Sequence, residues 1–398
     1  MRLQPRSSRL AILLTALVAI GPVSTDLYLP SLPAVMRAFE ANVALAQLTL
    51  SAFMAGFGAM MLVYGPLSDR FGRRPVLLSG MILYGLASVF CLLAPSIEML
   101  ILGRFLQAVG AACGPVLGRA VVRDIYGRDG AARVLSYMAS AMALAPALAP
   151  ILGGFLETLF GWRSNFIALL GFGLAMCLAL LLWLPETNQN RDRDALAPWR
   201  LFGNMLALMK DRRFMGYTLT LSFSFAALFC FISGSAFVLI DVMGVAPGNF
   251  GFCFAAVVAG YMGGSLMSGR FTAAVGLDRM IGLGAFLGVG AGILLALLSF
   301  LGPLHWAAVV GPMSLVFLSV GLVLPNASAG AIGPFPQMAG TASSLLGFLQ
   351  TGLGALAGVL VGHLHDGSAR PMSLLVLTMA GLSAAAYWFL TAKAPAAD

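Results

Sequence analysis

The chain is short of charge, of histidine, of paired cysteines and of long polar stretches, and each shortage removes a class of protein. Only 10% of its 398 residues are Asp, Glu, Lys or Arg, against 60% hydrophobic residues and a mean hydropathy of +0.94. Those values exclude a soluble globular domain and identify an integral membrane protein. The five cysteines, Cys91, Cys113, Cys177, Cys230 and Cys253, all fall in apolar runs without C-x-x-C spacing. They indicate neither a disulfide frame nor a metal site and read as small packing residues. The three histidines, His305, His363 and His365, all stand at ends of apolar runs. His363 and His365 beside Asp366 make a weak ligand pair, so a membrane-embedded enzyme, which needs convergent His, Asp, Glu or Cys groups, is only a remote alternative.

What remains is apolar runs bounded by charges, Pro or Gly. They predict spans at 10–30, 45–66, 75–94, 98–119, 134–157, 163–184, 213–239, 250–270, 279–299, 304–325, 338–362 and 371–391. The only long polar stretch, Pro185 to Arg213, divides them. The expected organisation is a six-helix bundle at 1–184, a cytoplasmic linker at 185–212 and a second six-helix bundle at 213–398. The basic start, Arg2, Arg6 and Arg9, lacks a following small-residue cleavage site, so the first run reads as a helix and not as a cleaved signal.

The net charge of +8 invites nucleic acid as a partner, but its placement argues otherwise. Of the 23 Lys and Arg, 19 fall in the N-terminus, the even-to-odd loops and the C-terminus of the twelve-helix arrangement, while Arg37, Arg163 and Arg370 lie opposite and Arg104 lies inside a helix. That asymmetry follows the positive-inside rule and sets both termini in the cytoplasm.

Between the second and third spans lies a charged knot, Gly65 to Val76, reading GPLSDRFGRRPV. Gly72 allows the tight bend and Pro75 occupies a position where a missing N–H is tolerated. A turn that only obeys the positive-inside rule explains Arg70, Arg73 and Arg74, but not Asp69 or the paired glycines. At an offset of 200 residues Ser68, Arg70 and Phe71 recur as Ser268, Arg270 and Phe271, with Gly269 in place of Asp69. Glycine rows such as Gly110, Gly114 and Gly118, or Gly354, Gly358 and Gly362, allow close helix approach, with or without motion.

Asp26 is the acid placed deepest in a first-half span, where an ionised carboxylate costs roughly 2.5–3.5 kcal/mol. Arg104, six residues past Glu98, is expected at similar depth, facing Asp26 across a central cavity. Burial favours the protonated acid and a facing guanidinium favours the carboxylate, so movement of either group switches proton binding. The plainer reading, that Asp26 merely ends the first helix because Pro30 and Pro33 follow, stays open. Candidate solute contacts are Tyr28, Gln107 and Gln350 as polar groups, with Phe225 and Phe229, one helical turn apart, as apolar wall or as lipid-facing residues. Few charges near them suit neutral or amphipathic solutes.

Gly65, Asp69, Arg70, Gly72, Arg73 and Arg74 together resemble the helix 2–3 loop signature of the major facilitator superfamily. Asp26-Leu-Tyr28-Leu-Pro30 resembles the helix 1 signature of its twelve-helix drug:proton antiporters, and Arg104-Phe-Leu-Gln107-Ala-Val-Gly110 is similar to the helix 4 signature. Pro146, Pro150, Gly153 and Gly154 resemble the helix 5 antiporter signature, although its first Gly-Pro is Ala145-Pro146 here. Arg119 to Asp124 and Ala339 to Ser343 with Gln350 resemble the bicyclomycin and chloramphenicol-class (Bcr/CflA) efflux subfamily.

The resemblance implies an all-α membrane fold of twelve helices in two pseudo-symmetric bundles that rock about a midplane site. It implies multidrug efflux by proton antiport in a bacterial inner membrane, powered by the proton motive force with no cofactor. The expected partners are a small-molecule substrate, protons and lipid, with no nucleic acid, and the chain is expected to be a monomer. Import, or export of a natural metabolite such as a sugar or amino acid, is the alternative. In the implied cytoplasmic gate, Asp69 meets the start of helix 11 near Gly340, and Asp124 pairs with Arg73 or Arg74.

Overall fold

The computed structural model describes residues 8–188, 191–192, 198–301 and 305–391. Among them the chain is helical throughout, as apolar segments in lipid must be, because only a helix satisfies its own N–H and C=O groups there. Eleven helices are long and apolar enough to cross a bilayer, and a shorter apolar helix, Leu144–Phe160, makes a twelfth.

The first half contains α1 (Ser8–Asp26), α2 (Leu32–Ala38), α3 (Val43–Phe71), α4 (Arg73–Leu92), α5 (Ile97–Ala111), α6 (Cys113–Phe160) and α7 (Arg163–Trp183). After α8 (Pro198–Lys210) come α9 (Arg212–Ala236), α10 (Pro247–Val275), α11 (Leu277–Leu301), α12 (Ala307–Ile332), α13 (Ala339–Leu364) and α14 (Arg370–Ala386). Side chains cap several starts: Asn42 accepts from the Leu45 N–H at 2.9 Å, and Asp211 from the Phe214 N–H at 2.7 Å.

Three features differ from the reading of the bare chain. The first span does not stop near residue 30: a short turn, Leu29–Ser31, leads into α2, so the apolar stretch runs Leu10–Ala38. Pro30 and Pro33 stand in first turns, where proline starts a helix instead of ending one. The polar linker contains α8, whose Leu208 is fully buried against Phe214, Tyr217 and Leu345 of the second half. Finally, α6 is assigned as one element yet holds two spans. Gly114 packs on Leu17 and Gly118 on Val18, whereas Gly153 packs on Leu27. A straight helix from 118 to 153 would cover about 52 Å and move away from Leu27, so α6 must fold back on itself.

Within the first half α3 packs on α5, and α4 on α5 and α7; within the second, α11 packs on α12 and α14, and α9 on α12, α13 and α14. Between the halves, α3 packs on α13 and α6 on α10. We call the end carrying the Gly65–Val76 turn the charged side and the other end the far side. Toward the far side the halves touch: Gly154 on Pro247, Gly251 on Ile151, Gly358 on Ser51 and Gly362 on Gln47. Contact continues to mid-depth, where Gly58 meets Thr351 and Gly347 meets Met61. Near the charged side, a Cβ placed at Gly65 or at Gly340 would have no neighbour within 4 Å. Contacts between the halves thus run from the far side past mid-depth, and Gly65 and Gly340 take no part in them.

Candidate functional site

The charged turn is built around Gly72, whose φ of 102° is open to glycine and closed to most residues; its N–H bonds the Ser68 carbonyl at 3.0 Å and ends α3. That reversal sets Asp69, the last turn of α3 and the first turn of α4 against each other. Arg73 bonds Asp69 at 2.6 Å and Asp124, from α6, at 3.1 Å, and its guanidinium also donates to the Ser68 hydroxyl. Arg74 donates to the Leu181 carbonyl at 2.9 Å, and Arg70 lies 5.4 Å from the Phe71 ring.

Sequence reasoning missed the anchor of this cluster, Glu186. Its carboxylate accepts from the backbone N–H groups of Arg73 at 2.9 Å and Arg74 at 3.2 Å, and also from those of Thr187 and Asn188. An anion at the start of α4 meets the unpaired N–H groups and the positive end of the helix dipole. Asn188 donates to the Ser68 and Asp69 carbonyls, the Asp192 N–H bonds the Asp69 carbonyl, and the Thr187 hydroxyl donates to Asp124. The signal was an acid directly after Pro185, at the first residue able to reach back. Asp69 does not make the expected contact with the start of α13: Gly340 stands clear, and the Asp69 side chain is 46% exposed.

Asp26 ends α1 and is 3% exposed, accepting from the Thr25 hydroxyl at 3.0 Å. Arg104 is wholly buried, and it does not face Asp26 as an ion pair. Among the described residues no carboxylate lies within salt-bridge distance of it. Its guanidinium lies 4.5 Å from the Phe53 ring, 4.8 Å from Tyr28 and 6.0 Å from Phe166. Three rings from separate segments thus surround the cation, in place of the carboxylate that was expected there; a desolvated contact of this kind is worth about 2 kcal/mol. Arg104 donates to Gln107 at 2.6 Å, and Gln107 donates to Ser88 at 2.8 Å.

Tyr28 and Gln107, expected to contact solute, are therefore fully buried parts of this cage, with the Tyr28 hydroxyl accepting from Thr49. Phe225 and Phe229 stack with centroids 6.1 Å apart and press on Gly354, so in this conformation Phe229 fills the α9–α13 contact and does not form an open wall. Gln350 is partly exposed, one turn before Gly354 on α13. Pro146 and Pro150 lie inside α6, and beyond them Gly153 and Gly154 meet Leu27 and Pro247.

At the far side an ion pair joins the halves, Arg37 to Asp241 at 3.1 Å. Beside it the His365 ring lies 6.1 Å from Phe237, and half-burial pulls its pKa below the ordinary 6.5, with Asp366 and Asp241 pulling the other way. A second unforeseen acid, Glu157, accepts from Ser31 at 2.7 Å, and Ser31 accepts from Asn165 at 2.6 Å.

Residues 13–359 match the family described as the Major Facilitator Superfamily. The chain is 34% identical to an uncharacterized MFS-type transporter, YdgK, of Bacillus subtilis, over 96% of this chain and 95% of that protein. It is 31% identical to a bicyclomycin resistance protein homolog of Haemophilus influenzae, over 98% of each. Its fold is similar to a crystal structure of a bacterial homolog of the human lysosomal transporter Spinster in an inward-facing, occupied conformation. The TM-score is 0.71 at 18% identity, covering 98% of this chain and 97% of that one.

Proposed function

We propose, from the premise that this chain belongs to the Major Facilitator Superfamily, that it exports small neutral or amphipathic drugs or metabolites in exchange for protons by alternating access. The protein is a multi-pass membrane transporter, not an enzyme. With the charged side assigned to the cytoplasm by the excess of Lys and Arg there, the far-side contacts between the halves face outward, in a bacterial inner membrane with both termini inside. The observation that carries the reading is the full-length likeness to a bicyclomycin resistance protein homolog, together with a buried acid, Asp26, in the first span.

In the scheme, Asp26 is the proton carrier. It is buried beside Thr25 and, among the described residues, forms no salt bridge; in the scheme, exposure to one side of the membrane releases the proton it carries. Arg104 is held by its aromatic cage and is positioned to meet the carboxylate only if the packing of α1 on α5 changes. Movement of one charge through 100 mV supplies about 2.3 kcal/mol, enough for roughly a fiftyfold gradient of a neutral solute. The test is solute accumulation in everted vesicles across an antibiotic panel. Asp26→Asn is expected to abolish accumulation driven by a pH gradient while leaving solute binding intact; accumulation that still follows the gradient would remove Asp26 from the role.

A further inference from the structure

On the far rim of the second half, where α11 and α13 end and α14 begins, lies a crevice of about 440 Å³, within the range of small-molecule sites. Its lining includes Phe300, Leu364, Asp366, Arg370, Leu374 and Thr378. Its lining sets the charged Asp366 and Arg370 beside the apolar Phe300, Leu364 and Leu374. The Arg370 guanidinium lies 5.1 Å from the Phe300 ring and, among the described residues, has no carboxylate within salt-bridge distance, although Asp366 lines the same crevice. Between Asp366 and Arg370, Gly367 turns the chain at a φ of 80°. Asp366 receives the N–H and hydroxyl of Ser368 on one oxygen, which holds its pKa below the usual carboxylate range and leaves the second oxygen available. Leu364, Phe300 and Leu374 are 53%, 47% and 45% exposed and connect the crevice to the lipid-facing surface.

We propose that this crevice binds a zwitterionic phospholipid of the far leaflet whose headgroup carries a primary ammonium beside its phosphate. The phosphate is bound by Arg370, the ammonium by Asp366, and an acyl chain follows Leu364 and Leu374. A lone anion would meet the Asp366 charge and a lone cation the Arg370 charge; an anion and an ammonium two carbons apart satisfy both. Guanidinium matches phosphate in two parallel hydrogen bonds. The exposed apolar side chains then distinguish a lipid from a free headgroup.

The full-length protein, purified in detergent, is offered phospholipids of identical chains bearing ethanolamine, choline or glycerol headgroups, and retained lipid is read by native mass spectrometry. The wild type is expected to retain the ethanolamine lipid about tenfold over the other two, the scale of one charge-assisted contact. Arg370→Ala is expected to lose that excess, and Asp366→Asn to retain the glycerol and ethanolamine lipids equally. Both positions are exposed, so the fold should survive either change. Equal retention of the three headgroups by the wild type, a variant that keeps the wild-type preference, or displacement of the lipid by free phosphoethanolamine each overturns the proposal.

Discussion

Asp69 shows how little of a residue's role is fixed by its contacts in one conformation. Its carboxylate is half exposed and bonds Arg73 across the Gly72 reversal, while Arg73 keeps Asp124 and Ser68 as further partners. A partly exposed ion pair contributes about 0.2–1 kcal/mol. Asp69→Asn should therefore barely move the melting temperature in detergent, yet lower turnover by about tenfold if Asp69 serves the opposite conformation, a separation of 1.4 kcal/mol. Equal losses of stability and turnover would make it a folding residue. Arg104 marks the limit of reading at this scale. Its depth along a helix follows from counting residues, but its direction depends on how neighbouring helices are rotated, and Phe53 and Phe166 carry no sign in the chain that they close over a cation.

Among elements, the repeat at an offset of 200 residues was legible, and the structure shows what replaced the lost charge. In the second copy Asn326 donates to Ser268 at 2.7 Å and accepts from Thr272 at 2.9 Å, a neutral counterpart of Arg73 with Asp124. The third helix of each half also begins with an acid. Asp278 is supplied by the first turn of α11 and takes the Tyr217 hydroxyl at 2.6 Å; Glu186 comes from the linker to α4. Removing an N-cap acceptor costs about 1–2 kcal/mol. Glu186→Ala is expected to lower the unfolding temperature measurably, with Glu186→Gln recovering part of it; no change in either variant would reduce the carboxylate to a bystander. Neither Glu186 nor α8 was legible, because the flanking charges of the linker hid both a back-reaching acid and an apolar face ending at Leu208.

For the whole molecule, twelve spans and two halves could be counted from apolar runs, whereas the conformation could not, since a chain that adopts two states carries the contacts of both. The far-side closure provides a pH test. His365 is half-buried beside Asp241, and its pKa lies below 6.5, so the closed form favours the neutral ring. As pH falls below that ordinary value, any form that exposes the ring binds the proton more readily, and closure weakens. Spin labels at the exposed Ala38 and Ala246 should separate as the medium is acidified below about pH 6.5, and His365→Gln should remove the response. A distance distribution independent of pH in the wild type would rule the histidine out.

The linker also has a mechanical consequence. Its first residues are fastened to the first half through Glu186, Asn188 and Asp192, and α8 is fastened to the second through Leu208. Any separation of the halves on the linker side therefore pulls on both anchorages at once, so the linker resists the opening as well as joining the two bundles.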